Sequence, residues 1–459
     1  MNRDNDSACA AIDPASATAR APAPSAADGL AATRAGVRVD RAVTELRRGR
    51  PVLLRSGPEE LLVGAVETLM PSTWLELTGR GPGVTLTLTA ERAQATGWHK
   101  PTLVTAVTEG TVLSLPAVNS VPIGSTADAP APLLPISLRL PASFEPARLA
   151  DLAGIGSHVG DAGGVTAGGS ERFGNLLAVQ TAPPAAQTTP AMRAALELAR
   201  LARLVPAIVT ADGPGARPGT LALGDSTRQP EAGDPHHLRL SAEDIFDYPQ
   251  ERASSLLRVS EAPVPLAGHE DSRFVLFRET VADLEHVAII VGNPDPASPV
   301  MVRLHSSCLT GDLFASLRCD CGDQLRGAID RLGEGGGVLL YLAQEGRGIG
   351  LANKLRAYAR QDAGMDTIDA DRYLGFRGDE RNFAVAAQML HSLGIARIRL
   401  LTNNPSKIAA LRQAGLDVVE RLPIGGQINP HNERYIATKR DRAGHLIDVP
   451  NPPAARQAG

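Results

Sequence analysis

Apolar positions in the second half of the chain follow two periods, which predict strands separated by helices. A spacing of two residues or a short unbroken apolar run is typical of a strand, and a spacing of three to four is typical of a helix. The predicted strands lie at 300–305, 338–342, 398–401 and 416–421, and the predicted helices at 322–332, 351–361, 382–393 and 405–414. Strands and helices in this order predict βαβ units with a parallel sheet.

The first half carries weaker patterns of the same kind. Two strands at about 51–55 and 60–67 are joined by a Ser-Gly-Pro turn, and Val84–Thr89 alternates apolar residues with threonine. Residues 191–205 place leucines at helical spacing, and Asp40 is expected to cap a short helix. These patterns predict an α/β (α+β) fold, with an N-terminal α/β domain and a C-terminal mixed or parallel sheet flanked by helices.

Changes in composition divide the 459 residues into two domains with a tail at each end. Residues 1–36 are rich in alanine and proline, so they are expected to be disordered because they cannot bury enough apolar surface. The predicted domains cover 37–255 and 270–447, with a Pro/Ala/Gly-rich stretch between them, and 448–459 is expected to be a flexible tail. Length alone is consistent with about two or three domains.

Composition excludes several classes of function. The 46 Lys+Arg against 50 Asp+Glu give a net charge of −4, and aromatic residues make up 3%, so neither the basic surface nor the stacking residues of a nucleic-acid binder are expected. No apolar stretch is long enough to span a membrane, and no secretory signal is visible, so the prediction is a cytoplasmic protein. Four cysteines are too few for a disulfide framework.

Three of the four cysteines are clustered in the pattern Cys308-x10-Cys319-Asp320-Cys321. Thiolates suit zinc, and three protein ligands leave a fourth position for water, as in catalytic zinc sites. His305, three residues before Cys308, is an alternative fourth ligand. The competing interpretation is three buried cysteines that pack as small apolar residues, and the polar neighbours favour the metal.

Three further motifs stand at predicted helix starts, and each is a weak signal alone. They are the Gly-rich turn 344–350, the acidic segment 378–381 and the segment 402–407. A helix N-terminus attracts anions, but each motif is explained nearly as well by an ordinary turn or helix cap.

Taken together, the motifs resemble GTP cyclohydrolase II of riboflavin biosynthesis over about residues 270–447. The matching strings are VRLHSSCLTGDLFASLRCDCGDQL, LLYLAQEGRGIGLANKLRAYARQD, LGFRGDERNF and RLLTNNPSK, in the family's order and spacing. The resemblance implies zinc-dependent hydrolysis of GTP to a diamino-ribosylamino-pyrimidinone phosphate, formate and pyrophosphate, the first step of the pathway. It also implies Mg²⁺ on the GTP phosphates and a homodimer.

The resemblance assigns roles to individual residues. It implies zinc ligation by Cys308, Cys319 and Cys321, and an acid/base role for Asp379, with Tyr358 assisting near the ring. It implies GTP contacts from residues on several elements, namely Arg303, Leu304, His305, Ser306, Ser307, Gln324, Glu345, Gly346, Arg347, Thr367, Thr402 and Lys407.

The family pattern is not carried over unchanged at two positions. The family role of Arg381 is that of a nucleophile toward the α-phosphate, but a guanidinium stays protonated, so we assign it to stabilising charge in the transition state. Many members of the family have an acidic residue where this chain has Ser307.

The N-terminal half resembles dihydroxybutanone phosphate synthase through RAVTELRRGRPVLL, ELARLARLVPAIV and LSAEDIFDY. Arg55, Ser56 and Gly57 stand where carboxylates are expected, and Gln187-Thr188-Thr189-Pro190 replaces the Gly-His-Thr-Glu signature. Without clustered carboxylates there is no site for a divalent cation. This domain is therefore expected to be inactive.

Two alternatives stay open at this level. The first is a bifunctional enzyme that also makes dihydroxybutanone phosphate from ribulose 5-phosphate, and the second is a cyclohydrolase-like paralogue of another pathway. A non-catalytic GTP sensor is disfavoured by the presence of Asp379 and Arg381 beside the cysteines.

Overall fold

A computed structural model describes most of the chain in eight stretches. These are residues 26–81, 83–95, 106–108, 111–113, 135–141, 144–153, 188–214 and 237–447. Residues 1–25 of the tail predicted at 1–36 lie outside the described residues, as do the tail predicted at 448–459 and Gln187.

The first sheet is mixed and has the strand order β6-β3-β7-β2-β1-β8. Its strands are β1 (Val52–Ser56), β2 (Glu59–Ala65), β3 (Gly83–Leu88), β6 (Ile136–Pro141), β7 (Ala207–Asp212) and β8 (Arg239–Ser241), and a separate hairpin is formed by β4 (Ala106–Thr108) and β5 (Thr111–Leu113). β1 and β2 pair in antiparallel fashion around the predicted turn, whereas β1 and β8 are parallel.

Helices cover both faces of the first sheet. They are α1 (Ala26–Arg47), α2 (Pro71–Thr78), α3 (Ala90–Ala95), α4 (Leu149–Leu152), α5 (Pro190–Leu201) and α6 (Ala242–Ser254), with 3-10 turns at Val66–Thr68 and Pro146–Arg148. Leu54 packs with α1 and α5 on one face, while Leu53 packs with α2 on the other. This split follows from the two-residue period of a strand. We call this sheet with its helices the N-terminal unit.

The second sheet has the order β15-β14-β12-β13-β11-β10-β9. Its strands are β9 (Leu256–Pro263), β10 (Arg273–Glu279), β11 (Leu284–Val291), β12 (Val300–Ser306), β13 (Gly337–Leu342), β14 (Arg397–Leu401) and β15 (Asp417–Leu422). The strands from β12 onward are parallel to one another, and β9, β10 and β11 extend the sheet in antiparallel fashion. The mixed sheet with flanking helices is the fold class that the sequence predicts.

Helices pack on both faces of this sheet as well. They are α7 (Cys321–Gly333), α8 (Leu351–Asp362), α9 (Thr367–Tyr373), α10 (Ala384–Ser392), α11 (Pro405–Gln413) and α12 (Glu433–Asp441), with single turns at Leu309–Leu313 and Glu345–Gly348. Val338 and Leu340 face one core, and Leu339 faces the other. We call this sheet with its helices the C-terminal unit.

Two local predictions are wrong. The first helix begins at Ala26, so Asp40 lies inside it rather than at its cap, and the helix includes the last residues of the segment expected to be a disordered tail. The helix predicted at 191–205 ends at Leu201, because Arg203 adopts a left-handed backbone conformation. The helix predicted at 405–414 is present as α11, and Asn404 caps it by accepting a hydrogen bond from the Ser406 N–H at 2.9 Å.

Within the described residues, no helix is both long enough and apolar enough to cross a lipid bilayer.

Candidate functional site

The three clustered cysteines converge after the carboxyl end of β12. Cys308 follows that strand, Cys319 precedes α7 and Cys321 begins it. Their sulfur atoms all lie within 4.8 Å of one another, and the Cys308 and Cys319 Sγ atoms are 3.7 Å apart. Among the residues that the structure describes, this is the group of His, Cys, Asp and Glu side chains that could hold a metal ion.

Gly311 leaves room beneath this cluster. A Cβ atom at this position would lie 2.8 Å from the Cys319 Sγ atom and 3.1 Å from the Cys308 Sγ atom. Both distances are shorter than the van der Waals optimum of about 3.5–4.0 Å. The glycine therefore lets the single turn at Leu309–Leu313 pass close to the thiols.

Electrostatics of the cluster favour a cation. Hydrogen bonding to Cys308 raises the pKa of Cys319 to about 11, and contacts with the other two thiols also raise the pKa of Cys321. Hydrogen bonds from its sulfur neighbours lower the pKa of Cys308, and the Lys354 ammonium, 3.1 Å from its sulfur, acts in the same direction. One thiolate is thus accommodated by the protein alone, and three would need a bound cation.

His305 does not serve as a fourth ligand in this arrangement. Its Nε2 atom lies 3.0 Å from both carboxylate oxygens of Asp312, and its ring stacks on Tyr341. Asp312 also accepts hydrogen bonds from the Tyr341 hydroxyl and from the Cys308 backbone N–H, at 3.0 and 2.9 Å. Asp312 therefore orients the loop that carries the first cysteine.

The Gly-rich turn after β13 brings Glu345 to the cysteine loop. Its carboxylate accepts hydrogen bonds from the Leu309 backbone N–H at 2.7 Å and from Lys354 Nζ at 2.8 Å. Gly346 and Arg347 both have positive φ angles, 62° and 58°, which is costly for a residue with a side chain. The turn points Arg347 toward the Thr367 carbonyl and the buried carboxylate of Asp371.

Asp379 and Arg381 form a two-pronged ion pair ahead of α10. The Nε and Nη2 atoms of Arg381 donate to the carboxylate at 2.8 and 2.5 Å. Burial favours the neutral acid, but the hydrogen bonds and charge of Arg381 outweigh it and hold the pKa of Asp379 below its usual range. Asp379 is therefore a carboxylate near neutral pH. Arg381 also reaches the Ser306 hydroxyl at 3.4 Å.

Two buried cations lie beneath this pair. Lys407 donates to the Leu304 carbonyl at 2.8 Å, and burial lowers its pKa, with Arg303 and Arg381 adding repulsion. Arg303 donates to the Leu401 carbonyl at 2.9 Å and to Gln324 at 2.7 Å, and burial lowers its pKa to about 10. Positive charge concentrated in one place suits a polyanionic ligand.

Four further residues predicted to belong to the site are located by their contacts. The Leu304 side chain lies in the core, and its carbonyl accepts the hydrogen bond from Lys407. Thr402 accepts a hydrogen bond from the Asn404 N–H, and the Ser307 N–H donates to the Leu342 carbonyl. The Tyr358 ring lies 5.0 Å from the Arg318 guanidinium and 5.8 Å from the Lys354 ammonium.

Four residues that the sequence did not single out belong to this site, namely Gly311, Asp312, Lys354 and Lys439. Lys439 in α12 donates to Asp320 at 2.7 Å, between the second and third cysteines. Gly311 and Asp312 lie inside the Cys308–Cys319 spacer, where their position was a usable signal. Lys354 and Lys439 are far from the cysteines in sequence, and no local pattern distinguishes them.

Comparison with known proteins places this site in a family. A sequence profile described as GTP cyclohydrolase II matches residues 257–423, which carry the cysteines and the turns described above. A protein of Shigella boydii named GTP cyclohydrolase-2 is 49% identical over 194 residues, which cover 42% of this chain and 98% of that protein. The chain belongs to the GTP cyclohydrolase II family.

Longer relatives of the GTP cyclohydrolase II family match only in part. A protein of Azospirillum brasilense named GTP cyclohydrolase-2 is 52% identical over 55% of this chain and 64% of its own length. One of Phocaeicola vulgatus named riboflavin biosynthesis protein RibBA is 44% identical over 55% of this chain and 62% of its own length. The chain thus spans about half to two thirds of the length of several relatives that it matches.

A solved structure of RibBX, a two-domain 3,4-dihydroxy-2-butanone 4-phosphate synthase from A. baumannii, is also similar. It is 19% identical and covers 85% of this chain and 100% of that chain, with a TM-score of 0.26.

Proposed function

We propose that the chain is a zinc-dependent GTP cyclohydrolase II that hydrolyses GTP to a diamino-ribosylamino-pyrimidinone phosphate, formate and pyrophosphate. The observation that carries the proposal is the cluster of three cysteine sulfurs beside an ion-paired carboxylate and a group of buried cations. The cysteine cluster offers a metal site, and the buried cations offer a binding place for a triphosphate.

The cysteines fit zinc. Two thiolates on one tetrahedral zinc, each about 2.3 Å from it, lie about 3.8 Å apart. The observed separation of 3.7 Å between the Cys308 and Cys319 sulfurs agrees with this value. Cys308, Cys319 and Cys321 would hold the ion, and a bound zinc would supply water that is activated near neutral pH, as hydrolytic loss of a ring carbon requires.

The chain's own side chains would bind the substrate and move protons. Asp379, ionised at neutral pH, would accept a proton and later return it. Arg381, Arg303 and Lys407 would bind phosphate oxygens, with Mg²⁺ held by the phosphates themselves. Arg381 would stabilise charge in the transition state rather than act as a nucleophile, because its guanidinium stays protonated.

The remaining assignments concern the guanine and its surroundings. Glu345 and Gln324 offer acceptors and donors for guanine, and Tyr358 lies next to the Lys354 ammonium and the cysteine loop. The proposed GTP contacts are completed by Leu304, His305, Ser306, Ser307, Gly346, Arg347, Thr367 and Thr402. A homodimer, which the family resemblance implies, and the cytoplasmic location predicted from the sequence complete the proposal.

The N-terminal unit is proposed to be inactive. Arg55, Ser56 and Gly57 form the end of β1 and the turn that follows, where carboxylates would be needed for a divalent cation. Relatives named RibBA make a bifunctional enzyme the second candidate. Formation of dihydroxybutanone phosphate from ribulose 5-phosphate by the purified protein would establish that candidate and overturn the inactive assignment.

The cyclohydrolase proposal is tested by replacing one cysteine. Wild-type protein given GTP and Mg²⁺ is expected to release formate and pyrophosphate and to contain one zinc per chain. Cys308→Ser should lose zinc and formate release together, because an alcohol is a poor zinc ligand. A Cys308→Ser protein that kept both would show that the metal site is assigned wrongly, and a zinc-loaded wild type without formate release would refute the activity.

A further inference from the structure

The N-terminal unit lies against the two chain segments that carry the proposed catalytic residues. The first segment, 343–350, contains Glu345 and Arg347, and the second, 375–382, contains Asp379 and Arg381. Neither segment is a regular helix or strand over most of its length, so its conformation depends on what it touches.

The first segment is tied to the N-terminal unit through α8. Glu67, in the 3-10 turn after β2, accepts hydrogen bonds from Arg356 Nη2 and from the Val205 N–H, both at 2.7 Å. Arg356 also donates to the buried side chain of Asn353 at 2.7 Å. Asn353 in turn donates to the Ile349 carbonyl at 3.0 Å, within the first segment. A charge on the N-terminal unit is thus three contacts away from the Gly-rich turn.

Arg203 adds a strained contact at the same place. Its φ angle of 56° is unfavourable for a residue with a Cβ, and its carbonyl accepts a hydrogen bond from Asn353 at 2.7 Å. The Arg203 side chain covers Gly350, where an added Cβ would lie 3.1 Å from the Arg203 Cδ atom. Strain of this kind persists only where the surrounding contacts hold the backbone in place.

The second segment is tied to α5 and α6. Arg200 donates to the Gly375 carbonyl at 3.2 Å, and its guanidinium lies 3.8 Å from the Glu380 carboxylate. Asn382 donates to the Pro249 carbonyl at 2.6 Å. The Gln344 side chain, from the first segment, donates to the Asn382 carbonyl at 2.7 Å, so the two segments also hold each other.

A buried polar chain leads to the first segment from another direction. Arg252 in α6 donates to Glu279 at 2.6 Å, and Glu279 lies 2.8 Å from His286 Nε2. The other ring nitrogen of His286 accepts a hydrogen bond from the Ala343 N–H at 3.1 Å. Glu279 and His286 are fully buried, so these bonds are strong and directional.

We propose that the N-terminal unit acts as a positioning scaffold for the cyclohydrolase site, with Glu67 and Arg200 as positioning residues for the two segments. The inference rests on the proposed function. The N-terminal unit would then support catalysis without containing catalytic residues. A displacement of about 1 Å in the groups that bind substrate is enough to lower the rate, so contacts that hold those groups in place matter.

The test compares full-length variants. Glu67→Gln removes the charge that holds Arg356 but keeps the side-chain shape. Arg200→Gln removes the guanidinium that contacts Gly375 and Glu380 and leaves a shorter, neutral side chain. Glu45→Gln is the matched control, because Glu45 pairs with Arg50 inside the N-terminal unit at 2.8 Å. Formate release as a function of GTP concentration, zinc content, and hydrogen exchange of peptides covering 343–356 and 375–382 are measured for each variant.

The two positioning variants are expected to differ from each other. Glu67→Gln should raise the KM for GTP about tenfold and speed exchange in 343–356, because Glu345 and Arg347 are proposed to contact GTP. Arg200→Gln should lower kcat about tenfold and speed exchange in 375–382, which carries the proposed acid/base pair. Both should keep wild-type zinc content, and Glu45→Gln should match wild type throughout.

Wild-type kinetics and wild-type exchange in both positioning variants would overturn the inference, as would equal effects from Glu45→Gln. The exchange measurements need no substrate and decide whether the N-terminal unit orders the two segments. If wild-type protein with bound zinc does not release formate from GTP, the proposed function is refuted. The exchange measurements then still show whether the N-terminal unit orders the two segments.

Discussion

Replacing Gly311 with alanine is expected to weaken zinc binding at the proposed metal site while leaving the rest of the fold in place. The added Cβ would lie 2.8 Å from the Cys319 Sγ atom, 3.0 Å from the Cys321 Cβ atom and 3.1 Å from the Cys308 Sγ atom. Comfortable contact needs about 3.5–4.0 Å, so the turn at Leu309–Leu313 must move by about 1 Å.

That displacement exceeds what a zinc site tolerates. Ligand distances in metal sites vary by about 0.2 Å, so a shift of about 1 Å in the loop that follows Cys308 breaks the three-thiol geometry. Disturbing the loop that orients these ligands is expected to weaken zinc binding by about 10–100-fold. Overpacking itself costs about 1–3 kcal/mol, which a protein of ordinary stability survives.

The assay is zinc affinity, measured by competition with a chromophoric chelator, together with zinc content after purification and formate release. Gly327→Ala is the matched control, because Gly327 lies in α7 and an added Cβ there meets nothing within 4 Å. The control should bind zinc like wild type and unfold at an equal or slightly higher temperature, since alanine favours a helix by about 1 kcal/mol over glycine.

A Gly311→Ala protein with one zinc per chain and wild-type affinity would refute the reasoning. It would mean that the loop accommodates the added Cβ without disturbing the thiols, and that the close approach of Gly311 is incidental packing.

Two further predictions follow from buried charges. Lys407→Met should increase the free energy of unfolding by about 1–2 kcal/mol, because it removes a buried ammonium group whose pKa is lowered by burial. The same substitution should raise the KM for GTP about tenfold, because a charged contact to the phosphates is lost. Reduced stability in urea unfolding would show that the lysine is structural. Burial raises the pKa of Asp371 to about 6 from an ordinary 3.8, so the folded protein binds the extra proton between those values, and stability falls as the pH rises through that window. The free-energy difference between wild type and Asp371→Asn should therefore shift against wild type by at most about 3 kcal/mol from pH 4 to pH 7, and a constant difference in urea unfolding would contradict the assignment.

Sequence reasoning placed most strands and helices of the C-terminal unit within one or two residues of their observed bounds. The apolar periods there are long and regular, and glycine or proline marks many of the ends, as at Gly394 and Pro405. It failed at the first helix, because residues 26–36 lack a clear apolar face and no local signal distinguishes them from a disordered tail.

The candidate site was partly visible in the same way. The spacing of Cys308, Cys319 and Cys321 was enough to predict a shared metal, because few other roles bring three thiols together in so few residues. The role proposed for His305 as a fourth ligand could not be judged from spacing, and in the structure Asp312 occupies its Nε2 atom.

The sequence of neighbouring residues was therefore enough to indicate the alternation of strands and helices, the parallel part of the second sheet and the three cysteines that form the cluster. Periodicity and short spacings act through neighbouring residues, and a sequence shows these directly. Three contacts around the site were decided by the tertiary structure alone. They are those of Lys354 with Cys308, of Lys439 with Asp320, and of Glu67 with Arg356 next to the Gly-rich turn. Those contacts join residues that lie 46, 119 and 289 positions apart, a separation at which only the packing of the sheets and helices determines which side chains meet.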